Sequence, residues 1–280
     1  MFGRKGLDVK TADQIRKMRV AGAVVAETLE LIRGAVNDGV TTGDLDRAAE
    51  EFIRSKGGTP SFLGYHGFTG SLCVSVNEEV VHGIPGSRTV RQGDLVSIDC
   101  GAIVDGWHGD AAISLIVGGR EAGSVPDLAL MDATEASMWA GIAALSVGAP
   151  LYDVGGAVED CIVDAARADG LTYGIVEDYV GHGIGTEMHQ EPQVPNYRVR
   201  DRGPIVRSGV TVAIEPMITL GSAETNVLDD EWTVVTQDGS RAAHWEQSVA
   251  VTDAGIWVLT ALDGGQERLG ALGAAYAPLL

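Results

Sequence analysis

Helical and strand periodicities run through this chain twice in the same order. Thr11-Ala12-Asp13-Gln14 reads as a capping box, and apolar Ile15, Met18, Val25, Leu29 and Ile32 follow at helical spacing, so a helix is expected over 12–36. Thr42 can cap a second helix that ends near Gly57. Strand-like runs come next, at 71–76, 79–82, 95–101 and 111–117. The order then restarts. Ser124-Val125-Pro126-Asp127 opens a helix to about Val147, another is expected over 153–169, and strands follow at 210–220, 232–236, 244–252 and 256–259. No Pro- or Ser-rich linker separates the halves. Two such units predict one α+β domain whose halves pack around a shared sheet, a hint of duplication with little shared sequence. The expected division is a flexible N-terminal segment at 1–10, a single catalytic domain at 11–262 and a Gly- and Ala-rich tail at 263–280 that carries no motif.

Composition narrows the function classes. A net charge of −19 argues against nonspecific nucleic-acid or anionic-membrane binding. The first ten residues lack an apolar stretch, so no signal peptide is expected. The longest uncharged run, 136–152, is too short and too polar to span a bilayer. Cys73, Cys100 and Cys161 are odd in number and scattered, which points to a reducing cytoplasm rather than a disulfide framework.

Four carboxylates and one histidine stand out as chemistry. Asp99 ends a strand, Asp105-Gly106 makes a good hairpin turn, and Asp110 opens the return strand. The spacing sets the two carboxylates almost opposite each other, with one bulge correcting the register. Opposed like charges repel unless a cation sits between them; an exposed hairpin end is the other reading. Gly181-His182-Gly183-Ile184-Gly185 surrounds a histidine with residues that permit tight turns and close approach. Glu215-Pro216 closes an apolar strand, and Pro216 forces an edge or a bulge there. Alternation puts His244, Glu246 and Ser248 on one strand face. Taken singly, His182, Glu215 and Glu246 read as well or better as structural residues. As a set, oxygen donors with one nitrogen suit Mn²⁺, Fe²⁺, Co²⁺ or Zn²⁺, and carboxylates can bridge two ions about 3.5–4 Å apart.

The motifs that resemble a known family lie in order over residues 11–261. They are Ser75-Val76-Asn77-Glu78-Glu79-Val80-Val81-His82-Gly83-Ile84-Pro85, Asp94-Leu95-Val96-Ser97-Ile98-Asp99 with Gly109-Asp110, the Gly181–Gly183 stretch with Ile184-Gly185, His189-Gln190-Glu191-Pro192-Gln193-Val194, Glu215-Pro216, Trp232-Thr233-Val234-Val235-Thr236 and Glu246. In these the chain resembles the type I methionine aminopeptidases, peptidases of the pita-bread fold. The resemblance implies two pseudo-symmetric halves with helices outside a curved, mostly antiparallel sheet. It implies that Asp99, Asp110, His182, Glu215 and Glu246 hold two divalent ions, with Asp110 and Glu246 bridging. It places His82 and His189 against substrate, and Tyr65, Phe62, Cys73, Met188 and Trp232 around a methionine side chain, where a small polarisable pocket suits a thioether.

The implied activity is removal of the initiator methionine from nascent proteins whose second residue is small. Water activated by the metal pair is the nucleophile, Glu215 moves its proton, His189 stabilises the oxyanion and His82 bonds the scissile amide. The free substrate amine would ligate one metal. The implied setting is a cytoplasmic monomer with transient ribosome association, though not through a zinc-finger or Pro-rich N-terminal extension, and with no direct nucleic-acid or membrane partner. Val81, Met188, Gln190, Gln247 and Ser248 depart from the family pattern and bear on pocket shape rather than on the ligands. Proline-specific peptidases of the same fold, a metal-free binding module and an unrelated acidic globular protein are the competing readings. Cleavage of non-methionyl Xaa-Pro peptides, lost ligands and coincidental motifs would be their respective marks.

Overall fold

The helix expected over 12–36 forms over Ala12–Ala35 (α1), closed at its start by the expected capping box: the Gln14 amide donates to Thr11 Oγ1 and the Thr11 amide to Gln14 Oε1. The structure, a computed structural model, describes residues 7–279. The second helix is Thr42–Ser55 (α2), and its cap lies one residue before the expected Thr42. Thr41 Oγ1 accepts from the Asp44 amide, while Thr42 is buried and its hydroxyl accepts from the Gly86 amide. Asp44 sits three residues past Thr41, so that register completes a reciprocal box. Strands β1 (Thr59–Pro60), β2 (Leu72–Val76), β3 (Glu79–Val81), β4 (Leu95–Val104) and β5 (Trp107–Ile116) complete the first half.

Helices α3 (Val125–Ala143), capped by Ser124, and α4 (Asp153–Asp169) open the second half. They are followed by β6 (Gly174–Ile175), β7 (Gly181–Gly183), β8 (Gln190–Val194), β9 (Val210–Ile214), β10 (Met217–Thr219), β11 (Thr225–Val227), β12 (Val234–Thr236), β13 (Ala242–His244), β14 (Glu246–Thr252), β15 (Gly255–Val258) and α5 (Gln266–Ala271). Two long expected strands are each interrupted, the first near its middle and the second near its start. The first breaks at Glu215-Pro216, where proline cannot donate to a ladder. The second breaks at Trp245, whose amide reaches across to Pro216 O.

The halves meet within one sheet of nine strands, with a central order β1-β4-β5-β14-β9-β7-β8, in which every strand pairing is antiparallel. The seam is β5 against β14, with Glu246 opposite Ala112 and Gln247 opposite Ala111. Helix α1 packs on β4 and β5, α3 on strands of the second half, and α2 and α4 against α1 and α3. One apolar core runs through both halves, from Val25, Leu29 and Ile98 to Leu130, Val212 and Val249. Each large side chain so buried contributes about 1.5–3 kcal/mol.

Chain ends add to this body. Residues 1–6 of the expected N-terminal segment lie outside the described residues, but Val9 bridges to Val210 and Lys10 is buried. Past Leu262, α5 buries Leu269 and Tyr276 bridges to Ile256. Among the described residues no helix is long and apolar enough to cross a membrane.

Candidate metal centre and substrate pocket

Hairpin β4–β5 turns through Asp105 and Gly106, both at positive φ, with Val104 opposite Trp107. The ladder carries no bulge, so Asp99 lies opposite Ala112 and Asp110 opposite Gly101. The two carboxylates are therefore diagonal neighbours rather than opposed, because the turn centre falls one residue later than the expected register. They still share a face, because Asp110 lies two residues from Ala112, the residue opposite Asp99. Glu246 also lies opposite Ala112, so Asp99, Ala112 and Glu246 form a row across three strands with a small side chain in the middle.

The row continues onto β9. Gln247 pairs with Ile214, and the next step of that register brings Glu215 beside Glu246. Pro216 ends β9 there and Trp245 ends the ladder on the facing strand. His182 arrives on β7, where Gly183 pairs with Val212. Its glycines serve close approach rather than turns. A Cβ on Gly181 would lie 2.4 Å from Ala213 O, and one on Gly183 2.4 Å from Glu191 O. His182 Nδ1–H donates to Gly183 O at 2.9 Å, which leaves the Nε2 lone pair facing the carboxylates.

His182 Nε2 lies 3.5 Å from Glu215 Oε1 and 4.0 Å from Glu246 Oε1. One donor atom each from Asp110, His182 and Glu246 fall within 4.8 Å of one another. Asp99 Oδ1, Asp110 Oδ1 and Glu246 Oε1 are buried without hydrogen-bond partners. Burial pushes the Asp99 carboxyl up to about 7. It holds Asp110, Glu215 and Glu246 well above the usual carboxylate range, helped by the charge of the neighbouring acids. Burial drives His182 down to about 3, so its imidazole is neutral at physiological pH. Buried acceptors without donors beside a neutral imidazole are what a divalent cation requires of a protein; the donor set fits the implied metals.

Support comes from Ser248, which the strand alternation places on the face of Glu246. The Asp110 amide donates to Ser248 Oγ at 3.1 Å, and that hydroxyl donates to Asp110 O at 2.7 Å, locking the row across the seam.

Beside the row opens a cavity of about 270 Å³. Every residue nominated from the sequence for metal or substrate lines it. Phe62, Phe68, Cys73 and Met188 pack together at its apolar end, joined by Tyr65, Ile84 and Trp232. Cys73 pairs with Asp99, so the apolar wall and the carboxylate row touch. His82 sits at φ 60° with its ring 6.2 Å from Trp232 and 5.4 Å from Tyr179. His189 is exposed, its Nδ1 2.8 Å from Tyr65 Oη and its ring 4.3 Å from that of His182. Phe68, Tyr179 and His244 also line the cavity and were not nominated. Alternation with Glu246 was the signal that could have found His244.

Residues 16–253 match metallopeptidase family M24. The chain is 53% identical over 259 residues to methionine aminopeptidase 1 of Mycobacterium tuberculosis, covering 92% of this chain and 96% of that protein. It is 42% identical to methionine aminopeptidase 1 of Bacillus subtilis over 90% of this chain and 98% of that one. The crystal structure of methionine aminopeptidase from Thermotoga maritima superposes with a TM-score of 0.84 at 38% identity, covering 91% of this chain and all of the other.

Proposed function

The chain belongs to metallopeptidase family M24, and from that premise we propose that it is a methionine aminopeptidase in which Asp99, Asp110, His182, Glu215 and Glu246 hold two divalent ions. The observation that carries the reading is the buried row of four carboxylates and one neutral imidazole lining a cavity with an apolar end. Ions bound there supply a Lewis acid and a water activated at neutral pH. The fit of the donors leaves Mn²⁺, Fe²⁺, Co²⁺ and Zn²⁺ as the choices.

The side chains do the rest. Phe62, Tyr65, Phe68, Cys73, Met188 and Trp232 take the methionine side chain, and the acidic end takes the free α-amino group, so cleavage is confined to the first residue. The Glu215 carboxylate accepts the proton of the attacking water and returns it to the leaving amine. His189, anchored by Tyr65 Oη, donates to the developing oxyanion, and His82 bonds the scissile amide. The substrates are nascent chains with a small second residue, met by a cytoplasmic monomer in passing contact with the ribosome. Three unpaired cysteines suit that compartment.

Cleavage of Met-Ala-Ser against a non-methionyl Xaa-Pro peptide, with each of the four metals, tests the activity. Methionine release from the first and none from the second is expected; equal cleavage of the Xaa-Pro peptide overturns it. His189→Ala is expected to keep its metal and lose kcat by about 10²-fold. An unchanged rate on Met-Ala-Ser removes His189 from the chemistry.

A further inference from the structure

His244 is the last residue of β13, paired with Met217. Its backbone is fixed from two sides. The amide donates to Ser97 Oγ at 3.2 Å and Ser114 Oγ at 3.0 Å, and the carbonyl accepts from Ser114 Oγ at 2.9 Å. The residue lines the cavity, yet it is only 2% exposed and Nε2 has no hydrogen-bond partner among the described residues. A buried nitrogen left unpaired calls for an explanation.

The nearest carboxylate supplies one. His244 Nε2 lies 3.9 Å from Glu215 Oε2, while Glu215 Oε1 lies 3.5 Å from His182 Nε2. Each oxygen of Glu215 thus faces an imidazole nitrogen. At 3.9 Å the His244 contact is too long for a hydrogen bond. Two donor atoms each about 2.1 Å from a common ion lie at most about 4.2 Å apart. The His182–Glu215, His182–Glu246 and His244–Glu215 separations, 3.5, 4.0 and 3.9 Å, all fall inside that limit.

We propose that His244, through Nε2, is a sixth protein donor to the metal centre, sharing an ion with Glu215. The inference rests on the assignment of the five-residue row as the metal site. A second imidazole makes the set four carboxylates and two nitrogens, which favours Co²⁺ and Zn²⁺ over Mn²⁺ more than a single nitrogen does.

Proton NMR of the full chain loaded with Co²⁺ tests this without a mutation, since each imidazole bound to the paramagnetic ion gives one strongly shifted exchangeable N–H signal. Two such signals are expected. In His244→Gln one of them disappears, and the Kd for Co²⁺ measured by chelator competition weakens by about 10-fold or more, with a smaller change for Mn²⁺. A single shifted signal from the unsubstituted chain, belonging to His182, overturns the role of His244 and leaves the five-residue site standing. No shifted imidazole signal overturns both. A His244→Gln protein with the wild-type far-ultraviolet circular dichroism and an unchanged Co²⁺ Kd overturns the inference as well.

Discussion

Asp110→Asn removes metal-dependent activity, by about 10³-fold or more, and yet stabilises the metal-free fold. Both effects come from the same carboxylate. Asp110 is 3% exposed, its Oδ1 has no partner, and Asp99 and Glu246 crowd it with like charge. Without an ion, ionising that group costs free energy, because it is buried among neighbours that repel its charge. Asparagine keeps the shape and drops the charge, so the metal-free variant is expected to gain about 1–3 kcal/mol at pH 8. With an ion the balance reverses. Binding to the folded state alone adds about 2.7 kcal/mol at a hundredfold excess over Kd, and the variant forfeits most of it. Thermal unfolding with and without Co²⁺ separates the two terms, and elemental analysis counts the ions. A variant that keeps its full metal content sinks the assignment of Asp110 as a ligand.

Helices α1 and α4 were legible because their signals are local: a capping box at Thr11 and Gln14, apolar residues at helical spacing, and Gly170 in a left-handed conformation ending α4. The Asp105-Gly106 turn was legible for the same reason, but its exact centre decided whether Asp99 and Asp110 oppose, and one residue of error was enough to misplace them. Pro216 announced a break, whereas the matching break at Trp245 has no local cause and follows from the facing strand. The row itself joins residues from four separate strands and one residue just past a fifth, so no spacing could assemble it; the ordered motifs of the family did. Short strands β7 and β8 were missed because one is mostly glycine and the other polar with a central proline. Helix α5 hid in a Gly- and Ala-rich composition that carries almost no periodicity.

Chelator-treated protein is expected to lose stability as pH rises from 6.5 to 8, opposite to the usual behaviour of salt-bridged carboxylates. Asp99 is held at about 7, and burial with like-charged neighbours also holds Asp110, Glu215 and Glu246 well above the unfolded carboxylate value of about 4. A group with a raised folded pKa contributes stability that is full below the unfolded value and is lost as pH climbs through the folded one. Buried histidines act the other way at lower pH. His182 and His244 are pushed down to about 3 and His82 and His108 to about 4, so they destabilise the fold only where the unfolded imidazole, at about 6.5, is protonated. Below that value the two sets oppose each other; above it the carboxylates act alone, at up to about 1.4 kcal/mol per pH unit for each titrating group. Loaded with Co²⁺, the same groups are deprotonated in the fold as they are in the unfolded chain, so their downward slope is absent. The gap between loaded and metal-free Tm should therefore widen steadily from pH 6.5 to 8, and Asp110→Asn should flatten the metal-free slope. Metal-free stability that stays level or climbs across that interval would show that burial and like-charge repulsion do not hold these carboxylates protonated without an ion.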